Sequence, residues 1–190
     1  MRSLTRRLKA ISIRCTMHLS PLVLAVCALS VHAQAQPLDD RPAQHAVKRF
    51  MQLCMSSLAD RKTIEESAQQ LGLQRLQPKA AANFAGDANA SVWVEQNEFG
   101  NFAVGAREGN FCSVYARKVD AASLTAAFKT WLPPKESEYE TEALPIFSNQ
   151  NQTTITYNIR RKGELFAVWS LSTSTVENAI YQGVISMKKF

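Results

Sequence analysis

From residue 42 onward the polar and apolar positions change period several times, and each change marks an element. Val47, Phe50, Met51, Cys54 and Leu58 recur every three or four residues, the spacing that keeps side chains on one side of a helix. This predicts a first helix over 42–58, with Pro42 tolerated in its opening turn. Thr63 and Glu66 have capping-box spacing and Gly72 is a natural stop, which predicts a short second helix. Residues 77–84, QPKAAANF, add a further turn or two before AGDANA breaks them.

The period then shortens to two. Residues 91–97, 101–107 and 111–119 read as strands, separated by the breaks EFG and EGN, which signal hairpins. In the third strand Cys112, Val114 and Ala116 share one face, while Ser113 and Arg117 point the other way. A helix follows. Asp120 sits where an N-cap belongs, Val119 and Leu124 have staple spacing, and Leu124, Phe128, Trp131 and Leu132 form one apolar stripe that Pro133-Pro134 ends. Residues 135–145, KESEYETEALP, read as an acidic loop. QTTITYNIR alternates, and KGE turns it into LFAVWSLST, apolar on both faces as a central strand is. The last segment fits a helix through Val176, Ala179, Ile180, Val184 and Met187, and a strand through Tyr181, Ile185 and Met187. Gly183 and the preceding strand favour the strand. The pattern predicts an α+β domain: N-terminal helices, then an antiparallel sheet of about six strands in the order βββ-α-βββ, with the helices packed on one face.

Residues 1–35 are set apart. Arg2, Arg6, Arg7, Lys9 and Arg14 make a basic start without an acid, and Pro21 to Val31 is an apolar run too short to span a bilayer. Ala33 and Ala35 supply an A-x-A exit with cleavage expected after Ala35. The segment reads as a signal peptide, which implies a periplasmic or secreted protein with no transmembrane segment in its mature chain. Cys27 follows Val26, where a lipidation site wants a small residue, so it reads as part of the apolar run. Residues 36–41 read as a mobile leader and 42–190 as one domain. Five of the chain's 22 basic residues lie in the signal, which leaves 17 against 16 acids. A mature charge near +1 gives no basic face for nucleic acid.

Cys15 and Cys27 belong to the signal; Cys54 and Cys112 remain. An even pair in an oxidising compartment is most simply a disulfide, with unpaired buried thiols as the alternative. Cys54 would enter the core from the first helix and Cys112 from the third strand. Closing a loop of about 58 residues is worth about 4 kcal/mol by chain entropy. His18 and His32 fall in the signal, and His45, close to the mature N-terminus, reads as a surface residue. That supply is too thin for a zinc site or a Cys–His nucleophile, and no metal or cofactor is expected. There is no G-x-S-x-G, P-loop, dinucleotide glycine pattern or H-E-x-x-H, and no catalytic residue is assigned.

Glu136, Glu138, Glu140 and Glu142 alternate through the acidic segment. They read first as a solvated stretch and second as a contact patch for a cationic partner. Trp93, Trp131 and Trp169 read first as core and second as the lining of a ligand pocket. With Phe50 four residues before Cys54 and the strand FCSVYARK around Cys112, residues 46–119 resemble small exported proteobacterial proteins of unknown function. That resemblance implies a periplasmic address and a bridged α+β domain, and carries no catalytic residue. The reading as a whole is a non-enzymatic module that binds an envelope protein or a small ligand. The alternatives are a secreted inhibitor or immunity-type protein working through the acidic segment, and a hydrolase using paired carboxylates.

Overall fold

The computed structural model describes residues 39–87 and 89–190. The expected signal, 1–35, and the first part of the leader lie outside them. Helix α1 (Arg41–Arg49) runs into a π-helical segment (Phe50–Met55), and α2 (Arg61–Gln70) follows. Strand β1 (Gln74–Arg75) and helix α3 (Pro78–Ala85) precede the meander β2 (Ser91–Asn97), β3 (Gly100–Arg107) and β4 (Phe111–Arg117). Helix α4 (Ala121–Thr130) leads to β5 (Tyr139–Ala143), β6 (Phe147–Ser148), β7 (Gln152–Arg161), β8 (Glu164–Ser174) and β9 (Gly183–Lys189).

The strands form one antiparallel sheet in the order β1-β2-β3-β4-β9-β8-β7-β5, with β6 beside β5 on the outer edge of β7. The mixed α+β class and the six main strands match the hydrophobic pattern. The sheet has nine strands rather than six, because β1, β5 and β6 are short edge pieces. Their pairing comes from a neighbour's free edge and not from any alternation of their own. The acidic stretch is therefore only partly a loop: Tyr139–Ala143 pairs with Tyr157–Arg161, and residues 135–138 form the turn before it. The last segment is a strand, as Gly183 favoured, and Ile185 and Met187 face the core.

Local chemistry explains most boundaries. The Asp120 carboxylate accepts from Ser123 N at 2.7 Å and starts α4. For α2 the cap is Asp60, not Thr63: Asp60 accepts both the Thr63 N–H and its hydroxyl, which draws Thr63 inside the helix. Two hairpins turn on paired left-handed residues, Gly109-Asn110 and Lys162-Gly163.

One face of the sheet carries the main core. Trp93, Val104, Cys112, Trp169, Leu171 and Met187 meet Val47, Phe50 and Leu53 from the first helix and Leu124 and Phe128 from α4. The Phe50 ring lies edge-on to Trp169 at 5.4 Å. The helices do not all share that face. In α3, Ala81 and Phe84 pack on Val92, Ala103 and Tyr115, which alternate with the core residues of β2–β4. An eight-residue helix bounded by Pro78 and Gly86 is short enough to cross the sheet edge and cover this second, smaller apolar patch.

Cys54 and Cys112 are bonded, both fully buried, with Cα atoms 5.4 Å apart. The bond ties the π-helical segment to β4. At the far side of the core Gly183 lets α4 approach β9, and a Cβ there would fall on the Leu124 side chain. Gly183→Ala is expected to lower the unfolding free energy by about 2 kcal/mol, as overpacking does. Urea unfolding measures it, and an unchanged midpoint would show that α4 sits farther from β9.

Candidate functional site

The predicted site residues divide into two groups. Cys54 and Cys112 are structural, held inside the core. The four glutamates lie in and before the edge strand β5, and part of their charge is already used. Arg161 pairs with Glu138 at 2.9 Å, and Arg160 lies 3.5 Å from Glu142, which also accepts from Asn158. All four are exposed, and among the described residues Glu136 and Glu140 make no ion pair. The side chains of Glu140 and Glu142 point to the sheet face opposite the helices, since Thr141 between them pairs with the core residue Ile159. They do not converge on a cleft, which removes the geometry that a carboxylate pair needs.

The acid that the structure buries is Glu95 on β2. Arg49 grips it with two bonds, Nε to Oε2 at 2.7 Å and Nη2 to Oε1 at 2.6 Å. His45 Nε2 lies 3.1 Å from Oε2, and Asn97 Nδ2 donates to Oε1 at 2.8 Å. His45 is not a surface residue: its ring packs between Phe99 and Phe102, with centroids 5.0 and 4.6 Å away. Helix spacing puts His45 and Arg49 on one side of α1, and strand spacing puts Glu95 and Asn97 on one side of β2. Those two spacings were the available signal, but their convergence depends on how α1 crosses the sheet.

Burial alone would push the Glu95 carboxyl up. Hydrogen bonds and charge from Arg49 and His45 outweigh it and lower the pKa to about 2. A carboxylate held this firmly ionised is a clamp between α1 and the β2–β3 hairpin, and a poor proton donor near neutral pH. Among the described residues no three His, Cys, Asp or Glu side chains gather as a metal site requires.

The arrangement best shaped for a ligand is an apolar cleft of about 250 Å³. Met51, Met55 and Leu58 come from the π-helical segment and the turn after it. Trp131, Pro133 and Pro134 come from the end of α4, with Ile159, Phe166 and Trp169 from the sheet beneath, and Tyr139 also lines it. Trp131 does not join the core stripe. The α-helix ends at Thr130, and the φ of −100° at Trp131 turns its side chain out, 47% exposed. Leu58 is 40% exposed.

The backbone beside this cleft is unusual. The π-helical segment closes through Ser56 N to Met51 O at 3.1 Å and Ala59 N to Cys54 O at 2.8 Å, each spanning five residues. Leu58 and Ala59 follow with φ of 53° and 59°. Two consecutive non-glycine residues in the left-handed region store on the order of 1–3 kcal/mol each. The indole N–H of Trp169 has no acceptor among the described residues. Flexible methionines, an outward tryptophan and a strained wall suit an apolar guest that is gripped by repacking.

No family model, curated protein or solved structure matches the chain.

The sign of the Glu95 effect is fixed by its lowered pKa. Its stabilisation is present above about 4.5 and is lost as pH falls towards about 2. The full shift corresponds to about 3 kcal/mol, and partial solvent contact reduces that to about 1–2 kcal/mol. Glu95→Gln should lose this amount at pH 7 and flatten the acid side of the stability profile. Equal pH dependence of variant and parent in urea titrations would remove the clamp role.

Proposed function

We propose that the protein is an exported, non-enzymatic binding module, stabilised by one disulfide, that receives an apolar group of a protein or small ligand in the cleft between the π-helical segment and Pro133-Pro134. The observation that carries this reading is the cleft itself: an apolar recess with Trp131 and Leu58 left at its rim. Solvent-facing apolar side chains of this size, gathered around a recess, favour association.

Export is supported by the signal-like segment 1–35 and by the Cys54–Cys112 bond, which suits an oxidising compartment. No helix among the described residues is long and apolar enough to cross a membrane. An inhibitor-type role through Glu136 and Glu140 is the second reading. It has less support, because Arg160 and Arg161 already offset two of the four glutamates.

Two measurements test this. Protein recovered from the cell envelope is expected to begin at Gln36 and to take up no alkylating agent until it is reduced. An intact precursor or two free thiols would overturn export and the bridge. The mature protein should also enhance the fluorescence of N-phenyl-1-naphthylamine, and Trp131→Ala and Met55→Glu should each weaken that binding about tenfold or more. Near-UV circular dichroism checks that both variants are folded. No enhancement, or enhancement that neither variant alters, would remove the cleft as the site.

A further inference from the structure

The second recess lies on the other side of the sheet and owes nothing to the cleft. Its volume is about 270 Å³. The strand registers describe it. Gln96, Asn101 and Arg117 are partners across β2, β3 and β4, so they form one row at the end of the sheet. Neighbouring strands hold such side chains about 4.8 Å apart. The next row on the same face is Val94, Ala103 and Tyr115. The first row is polar and exposed; in the second, the small apolar Val94 and Ala103 stand beside the half-buried ring of Tyr115. Above the apolar row stand two rings, Phe84 from α3 and Tyr181 from the segment before β9, 4.5 Å apart.

The one acid among the recess's lining residues is spent on the opposite face. Glu95 is bound by Arg49 and His45 there, and Asn97 bonds to both Glu95 and His45. Arg117 is thus the ion that the recess offers, beside the planar amides of Gln74, Gln96 and Asn101. Burial, with Tyr115 close by, pushes the Tyr181 phenol up, so its hydroxyl stays a neutral donor and acceptor. A third recess, of about 320 Å³, shares Ile180 and Tyr181 with this one and continues over Ser172, Ser174 and Gln182. Ile180 stands 72% exposed between them.

Amides, one guanidinium, hydroxyls and a ring over an apolar floor fit a molecule that has hydroxyls at its edge and C–H bonds on its face. We propose that this side of the sheet binds a glycan chain. One sugar unit stacks its C–H face on Tyr181 and Phe84 and directs its hydroxyls to Gln96, Asn101 and Arg117. The next unit passes Tyr181 towards Ser172 and Ser174. Two recesses joined at one tyrosine favour an oligomer over a single sugar. Arg117 makes an acidic sugar the tighter ligand, because a guanidinium–carboxylate bond is stronger than a neutral one.

The test is a titration of the ¹⁵N-labelled mature protein with chitotriose, cellotriose and trigalacturonate, each to about 10 mM, where binding in the millimolar range is still read. At least one trimer is expected to shift amides at Gln96, Asn101–Ala103, Arg117 and Tyr181, and to leave those of the cleft unmoved. Tyr181→Ala should weaken that trimer about tenfold or more, and Arg117→Gln should weaken trigalacturonate about tenfold. Asn101→Ala, an exposed change that leaves the core alone, should weaken binding in the same direction. No shift on this face with any of the three trimers, or shifts that survive both Tyr181→Ala and Asn101→Ala, would overturn the proposal.

Discussion

A broad antiparallel sheet with one apolar face must be covered, and this chain has few helical residues with which to cover it. Most of the cover comes from α1 with its π-helical extension and from α4, with Ile64 and Ala68 of α2 beside them. Each is pinned separately. The Cys54–Cys112 bond holds the π-helical segment to β4, the Glu95–Arg49–His45 clamp holds α1 to the β2–β3 hairpin, and Gly183 lets Leu124 of α4 reach β9. These contacts act on different kinds of disorder. The covalent bond limits the unfolded chain, the clamp fixes the direction of α1 through charge, and the glycine permits close packing.

Covering a wide sheet with two helices leaves a gap where both of them end. The first helix terminates without a glycine, through five-residue hydrogen bonds and the left-handed pair Leu58-Ala59. Helix α4 terminates at Thr130, before Pro133-Pro134. Both ends lie over Ile159, Phe166 and Trp169, and the apolar cleft is the space they fail to fill. Strain, an outward Trp131 and a Trp169 indole N–H without an acceptor among the described residues collect there because packing is incomplete. The same incompleteness is what a guest requires. A fully packed core would have no room for one.

The legible parts of the sequence were those set by local chemistry. Asp120 as a cap, the hairpin at Gly109-Asn110, the shared face of Cys112 and Val114, and the inward direction of Cys54 each depend on a few neighbouring residues. What was not legible depends on distant elements. Strand β5 exists because β7 offers it an edge, so four alternating glutamates looked like a loop. His45 looked like a surface residue because its partners, Glu95 and Phe102, lie at least 50 residues away. Trp131 continued an apolar stripe on paper, but one residue beyond the helix end its side chain turns away. The π-helical segment left no trace in the hydrophobic period, since Phe50, Leu53 and Cys54 are buried just as an α-helix would bury them.

The two faces of the sheet follow from one alternation. On β2–β4 every residue that serves the core has neighbours serving the opposite side: Trp93 between Val92 and Val94, Val104 between Ala103 and Gly105, Val114 between Ser113 and Tyr115. Helix α3 covers only part of that opposite side. Beyond it the sheet is lined by hydroxyls already paired across strands, Ser113 with Ser186 and Thr154 with Ser172, each at 2.8 Å. Such a face gains little from a second helical layer, because its polar groups would lose water without gaining new partners. It is stable as an open surface. The binding potential of the domain thus divides by chemistry, with apolar space where the helices run out and hydroxyls, amides and rings where no helix was needed.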